Sequence, residues 1–247
     1  MYFLVNMVNK GRQYLAKNNN IDLENIVRLN LEKHNIGTSE IEYLNTFKLK
    51  NLRVLDLNSN AINAYGAYVL SQGEYNSLKY LNISNNKIGN EGINHIAIGH
   101  FKNLNCLHLS HDFITYEGIK FFVKNQLVDN LTVLSLSDNR KIEDTGIRYI
   151  KEHKGWGKLK ILNLDLTGLS DVGLSYLEKA SMPNLRELNI LNNKFTENAK
   201  SSVDNLRKKN IKVRYKNGEQ EEEKDDPDFD YYIDGYVSNN YYIKNYK

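Results

Sequence analysis

Residues 81–93 read LNISNNKIGNEGI. Four Asn and two Gly among a few aliphatics make the stretch too polar for a buried strand and too Gly-rich for a helix interior. The same spacing recurs along the chain. LRVLDLNSNAINAYGAYVL starts at Leu52, LKYLNISNNKIGNEGINHI at Leu78, LNCLHLSHDFITYEGIKFF at Leu104 and LTVLSLSDNRKIEDTGIRYI at Leu131. LKILNLDLTGLSDVGLSYL follows at Leu159 and LRELNILNNKFTENAKSSV at Leu185. A weaker copy, IVRLNLEKHNIGTSEIEYL, begins at Ile26, and a half copy, IKVRY, at Ile211. Successive starts lie 26, 26, 26, 27, 28, 26 and 26 residues apart.

The shared pattern, LxxLxLxxNxIxxxGxxxL, resembles a leucine-rich repeat, and its period falls in the range of about 20–29 residues for that class. The Gly four residues after the Ile, followed by a helical apolar pattern, is similar to the ribonuclease-inhibitor-like subtype. The likeness covers residues 26–215 and departs from ribonuclease inhibitor in its single cysteine and slightly short repeats. It implies an α/β leucine-rich-repeat solenoid, or horseshoe, with a parallel β-sheet on the concave face and helices on the convex face. A lone repeat cannot bury its apolar face, whereas stacked repeats share a continuous core.

The register gives each residue of the opening stretch a task. Leu81 and Ile83 point into the core by strand alternation, joined by Ile88, Ile93 and Ile96, and Gly92 marks the turn into the helix. Asn86 stands ninth in its copy, with Asn60, Asp112, Asn139 and Asn193, and also His34 and Thr167, as equivalents. In leucine-rich repeats this Asn is buried and bonds backbone groups that the sheet does not reach, which is expected here too.

Three segments follow. Residues 1–25 form an N-terminal half-repeat or cap, since NKGRQYLAK (9–17) aligns with the helix half DTGIRYIKE (144–152). Residues 26–215 hold seven copies and a terminal strand. Residues 216–247 form an acidic, Tyr-rich tail with nine acids against four lysines, expected to be disordered. The tail carries a net −5 and the body +8, so it is expected to contact the basic end formed by Arg207, Lys208, Lys209, Lys212 and Arg214.

The whole chain has 247 residues, 40% of them hydrophobic, and a formal net charge of +3. Mean hydropathy of −0.59 indicates a strongly polar surface. The only cysteine, Cys106, excludes an internal disulfide and fits a reducing compartment. The N-terminal MYFLVNMVNKGR lacks the length and cleavage site of a secretory signal. No stretch approaches the roughly 20 apolar residues of a membrane span. A cytoplasmic monomer is expected.

No enzyme motif is present: GxSxG, HExxH, CxxC and a phosphate-cradling glycine loop are all missing. No catalytic residue, cofactor or metal is assigned. The nearest approach to a metal set is CLHLSHD, with Cys106 and His108 on one strand face and His111 and Asp112 beyond. Since Asp112 occupies the structural Asn position, ordinary surface substitution is the preferred reading. In DPDFDYYID, Asp226, Asp228, Asp230 and Asp234 have calcium-loop-like spacing, but Tyr231 stands where an EF-hand needs Gly and Val237 where it needs Glu.

The concave face carries the candidate partner-binding residues. Third positions give Val54, Tyr80, Cys106, Val133, Ile161 and Glu187, a largely apolar stripe expected to be exposed. Fifth positions add Asp56, Asn82, His108, Ser135, Asn163 and Asn189, with Asn30 at the N-terminal end. Second positions place Arg53, Lys79, Lys160 and Arg186 along one rim. An exposed apolar stripe with a polar flank suits a protein partner, and Tyr80→Ala with Ile161→Ser is expected to weaken binding without affecting folding. The expected function is a non-catalytic protein-binding module: an adaptor, inhibitor, sensor, or effector delivered into a host cell. The alternative is a small-GTPase regulator similar to Ran GTPase-activating proteins, which pair such repeats with an acidic tail. Neither a membrane nor a nucleic acid is an expected partner.

Overall fold

The structure, a computed structural model, describes residues 25–216. The aligned stretch 9–17 and the acidic segment lie outside the described residues. Eight three-residue strands alternate with helices in chain order. They are β1 (Arg28–Asn30), α1 (Thr38–Leu44), β2 (Val54–Asp56), α2 (Ala64–Ser71), β3 (Tyr80–Asn82), α3 (Gly89–Ile98) and β4 (Cys106–His108). Then come α4 (Tyr116–Phe122), the short α5 (Leu127–Asn130), β5 (Val133–Ser135), α6 (Glu143–Glu152) and β6 (Ile161–Asn163). The order ends with α7 (Asp171–Glu178), β7 (Glu187–Asn189), α8 (Ala199–Lys208) and β8 (Lys212–Arg214), the strand of IKVRY.

All eight strands form one sheet in sequence order. Every neighbouring pair is parallel and in register, so that Leu55 pairs with Leu81, Leu81 with Leu107 and Leu107 with Leu134. A strand–helix–strand return of near-constant length makes that register repeat, because equal repeats place equal residues at equal heights. Leu78, Leu81, Ile83, Ile93 and Ile96 are wholly buried, and their equivalents continue one core between sheet and helices. Each fully buried aliphatic side chain contributes about 1.5–3 kcal/mol.

Copies longer than 26 residues place the surplus outside the sheet. The copy from Leu104 adds α5 before β5. The copy from Leu131 adds a 3₁₀ turn, Trp156–Lys158, whose Trp156 is buried and donates its indole N–H to the Ile150 carbonyl at 2.8 Å.

Each of strands β1 to β7 leaves the sheet through a left-handed residue at the eighth position. Lys33, Ser59, Asn85, His111, Asp138, Leu166 and Asn192 have φ between 51° and 58°. Asn and Asp tolerate this conformation through local side-chain bonding, whereas Leu166 has no such compensation. Gly92 sits in the first turn of α3, buried, and a Cβ there would lie 2.5 Å from the Ile88 Cβ.

Candidate functional site

The ninth-position side chains stitch consecutive repeats. Asn60 accepts at Oδ1 from the His34 and Ile36 N–H groups (3.0 and 2.9 Å) and donates from Nδ2 to the Leu31 and Leu57 carbonyls (both 2.8 Å). Asn86 accepts from Ile62 N–H at 2.9 Å and donates to the Ile83 carbonyl at 2.7 Å and to those of Leu57 and Ser84 at 3.1 Å. Asn139 accepts from Asp112 and Ile114 and donates to Leu109 and Leu136, all between 2.8 and 3.1 Å. Asn193 repeats the arrangement with Thr167, Leu169, Leu164 and Ile190. These side chains satisfy turn carbonyls and amides that no strand reaches.

A second stitch was not visible in the repeat pattern. Asn90 accepts at Oδ1 from the Thr115 N–H at 2.9 Å, Asp144 from Ser170 at 2.8 Å, and Asp171 from Thr196 at 3.0 Å. A carboxamide or carboxylate at the start of one helix thus holds the start of the next. The signal was available: an Asn or Asp recurs there with a Ser or Thr some 25 residues on, as in Asn90 and Thr115. Asn90 therefore belongs to the scaffold.

The apolar stripe on the sheet face turned away from the helices is covered, contrary to the expected exposure. Val54, Tyr80, Cys106, Val133 and Ile161 form their own buried cluster, none more than 9% exposed, and Glu187 is half-buried. Parallel strands only about 4.8 Å apart press like positions against one another, so side chains in the stripe shield their neighbours. Tyr80→Ala with Ile161→Ser would consequently disturb packing as well as any contact.

Fifth-position residues are also engaged. Asp56, Asn82, Asn163 and Asn189 each accept at Oδ1 from the N–H two residues on, at 2.9 to 3.2 Å, turning the chain out of the strand. Asp56, Asn82 and Asn163 keep partial exposure, whereas His108, Ser135 and Asn189 are buried. Burial is the main cause that raises the Asp56 carboxyl above the ordinary carboxylate range.

CLHLSHD does not converge on one point. Cys106 Sγ and His108 Nε2 lie 3.2 Å apart, both buried, and the Tyr80 ring sits 5.2 Å from the His108 ring. Burial pushes the thiol up and lowers His108 to about 4, which leaves a neutral thiol beside a neutral imidazole. His111 turns away, exposed, and binds Asp138 Oδ2 through Nδ1 at 2.7 Å, while Asp112 is buried in the ninth-position row. Among the described residues no group of three or more His, Cys, Asp or Glu is placed to hold a metal ion.

Exposure moves instead to the two rims. Where the strands begin, Arg53, Lys79, Lys160 and Arg186 are exposed. Where they end, Phe113 is 63% exposed at φ 59°, with its ring 5.8 Å from that of His111. Arg140 Nε joins the adjoining Asp138 at 2.9 Å. Nothing in the repeat pattern marks Phe113, because the tenth position is otherwise filled by small or polar residues such as Ala61 and Lys87.

The family described as leucine-rich repeat matches residues 48–71, 76–97 and 130–151. The fold is a leucine-rich-repeat solenoid. Solved structures similar to it include human 5T4 (trophoblast glycoprotein), at 16% identity and TM-score 0.41, covering 68% of this chain and 60% of that one. An internalin from Listeria monocytogenes is similar at 22% identity and TM-score 0.42, over 79% of this chain and 62% of the internalin. A leucine-rich-repeat protein of Leptospira interrogans is similar at 23% identity and TM-score 0.41, over 70% of this chain and 44% of that one. This solenoid thus spans less than two thirds of each of those chains. No curated protein sequence matches it. Among the described residues of the solenoid, no helix is long and apolar enough to cross a membrane.

Proposed function

We propose that the protein is a non-catalytic binding module that captures a protein partner across its concave face, with the rims making the first contacts. Phe113 carries this reading. A bulky side chain in the left-handed region is strained, and strain of this kind concentrates where a surface is used. An exposed aromatic with a polar neighbour, here His111 bonded to Asp138, suits the anchor of a protein interface. The polar edge of Asp56, Asn82 and Asn163 supplies hydrogen bonds beside it. Leucine-rich-repeat proteins generally act as interaction modules, which supports the same reading, as an adaptor, inhibitor, sensor or effector. The one-cysteine composition favours a reducing cytoplasm. Helices of seven to ten residues in the full repeats support the ribonuclease-inhibitor-like subtype. No observation favours the GTPase-regulator alternative.

The test is affinity capture with the full chain, followed by titration of each purified captured protein against wild type and Phe113→Ala. The reading predicts weaker binding for Phe113→Ala with the melting temperature unchanged. Equal affinities for every captured protein would remove Phe113 as the anchor.

A further inference from the structure

Parallel strands sort the connections of the solenoid onto two edges, because every helix returns the chain to the same end of the sheet. The seven segments that run from a helix into the next strand, from residues 45–53 to 209–211, line the edge where the strands begin. They carry twelve Lys or Arg, all exposed, against two acids, Glu74 and Asp129. The seven segments that run from a strand into a helix carry five of each sign. Among the described residues none of the twelve is in an ion pair, and Asp129 is taken by His153. With Glu152 and Glu178, the last residues of α6 and α7, added to that edge, twelve cations still face four acids. In the sequence these cations are scattered from Lys48 to Lys209, and only the fold gathers them.

The same edge carries apolar projections. Strands paired in register begin at equal heights, which lines the segments up along one side of the solenoid. Ile98, the last residue of α3, is 59% exposed there, and Val27, one residue before β1, is 44% exposed. Beside Ile98 is a cavity walled in part by Lys102, Gln126 and Asn130, and Lys158 Nζ donates to Asn130 Oδ1 at 2.8 Å. Ammonium groups and amides around a cavity suit a phosphate group.

We propose that this edge docks on an anionic membrane surface, with Ile98 entering the headgroup layer and the lysines meeting lipid phosphates. Each cation held near an anionic leaflet raises affinity about five-fold. Ten of the twelve are Lys, point charges on flexible stems that suit a fluid array of phosphates. A nucleic acid calls instead for Arg forks and for rings that stack bases. The rings in these segments, Phe47, Tyr75, Phe101 and Trp156, are buried or half-buried. Docking of this kind needs no membrane-crossing helix. It leaves Phe113, on the opposite edge, facing solution, and it does not rest on the proposed partner capture.

The experiment is flotation of the full chain with vesicles of phosphatidylcholine alone and of about three parts phosphatidylcholine to one of phosphatidylserine. Binding is expected to the anionic vesicles only, and is expected to vanish at about 1 M salt, where the Debye length is about 3 Å. Lys102→Gln, Lys158→Gln and Lys160→Gln together should lower affinity about a hundred-fold. Lys87→Gln, Lys141→Gln and Lys194→Gln remove the same charge from the other edge and should lower it less than about ten-fold. Ile98→Ala should weaken binding by at least about five-fold. Melting temperatures of all variants separate lost docking from lost folding. No binding to the anionic vesicles, or equal losses for the two triple variants, overturns the proposal. Binding to a duplex oligonucleotide that is tighter than to vesicles and unaffected by Ile98→Ala assigns the edge to nucleic acid and overturns it as well. No partner protein is present, so failure here leaves the partner-capture titrations to be judged separately.

Discussion

Asn86 donates its backbone N–H to Oδ1 of Asp112 at 3.0 Å, while the other carboxyl oxygen of Asp112 is buried without a hydrogen-bond partner. In the flanking repeats that second atom is the Nδ2 of Asn86 or Asn139, donating to backbone carbonyls. Asp112 therefore presents an acceptor where its row needs a donor. A proton on the carboxyl group supplies the missing donor, and burial, the main cause, raises the group from 3.8 to about 8.

Asp112→Asn should stabilise the protein at neutral pH by about 1–3 kcal/mol, since it replaces a buried unsatisfied group with the donor the row uses elsewhere. The pH dependence has a defined sign. The folded state holds the proton more tightly than the unfolded state, so the wild type is least penalised below pH 3.8 and loses stability as pH rises to about 8. Urea denaturation of both proteins from pH 4 to 9 should show a gap that widens to about pH 8 and then stays level. A constant gap would mean that Asp112 does not carry the proton.

Asn139→Ala should cost about 3–5 kcal/mol, because it orphans the Asp112 and Ile114 amides and the Leu109 and Leu136 carbonyls together. Hydrogen exchange should show the loss first at amides 112 and 114. Uniform loss across the chain would instead indicate a global effect.

Gly173→Ala tests the second stitch. A Cβ there would lie 2.3 Å from Asp144 Oδ1 and 2.6 Å from Leu169 Cδ2, and Asp144 is held by the Ser170 and Gly173 N–H groups. The substitution should destabilise by about 1–3 kcal/mol, read by thermal melting. A stability gain, the usual result of Gly→Ala in a helix, would show that the α6–α7 contact yields easily.

Tyr80→Ala and Phe113→Ala should separate packing from binding. Tyr80 is 1% exposed within the covered stripe, so its truncation should cost about 3 kcal/mol or more. Phe113, 63% exposed, should leave the melting temperature unchanged. The opposite pattern would reverse the roles assigned to stripe and rim.

Cys106 should react with a thiol reagent far more slowly in the native protein than in urea, since the thiol is buried and burial raises its pKa. Rapid native labelling would show that the stripe opens to solvent.

The repeat alone determined the strand order, the parallel register and the core, because equal spacing of Leu81, Leu107 and Leu134 allows no other alignment of stacked copies. It also located Asn86 and Asn139, whose side chains bond both their own turn and the turn of the preceding repeat. Tertiary structure decided how the face is used. Alternation correctly sends Tyr80 and Ile161 away from the main core, but only strand-to-strand contact buries them in a second cluster. Tertiary structure likewise ties Asn85 to Asn58 of the preceding repeat and exposes Phe113 at the rim. Which way a side chain points follows from its own strand; what covers it depends on neighbours a full repeat away.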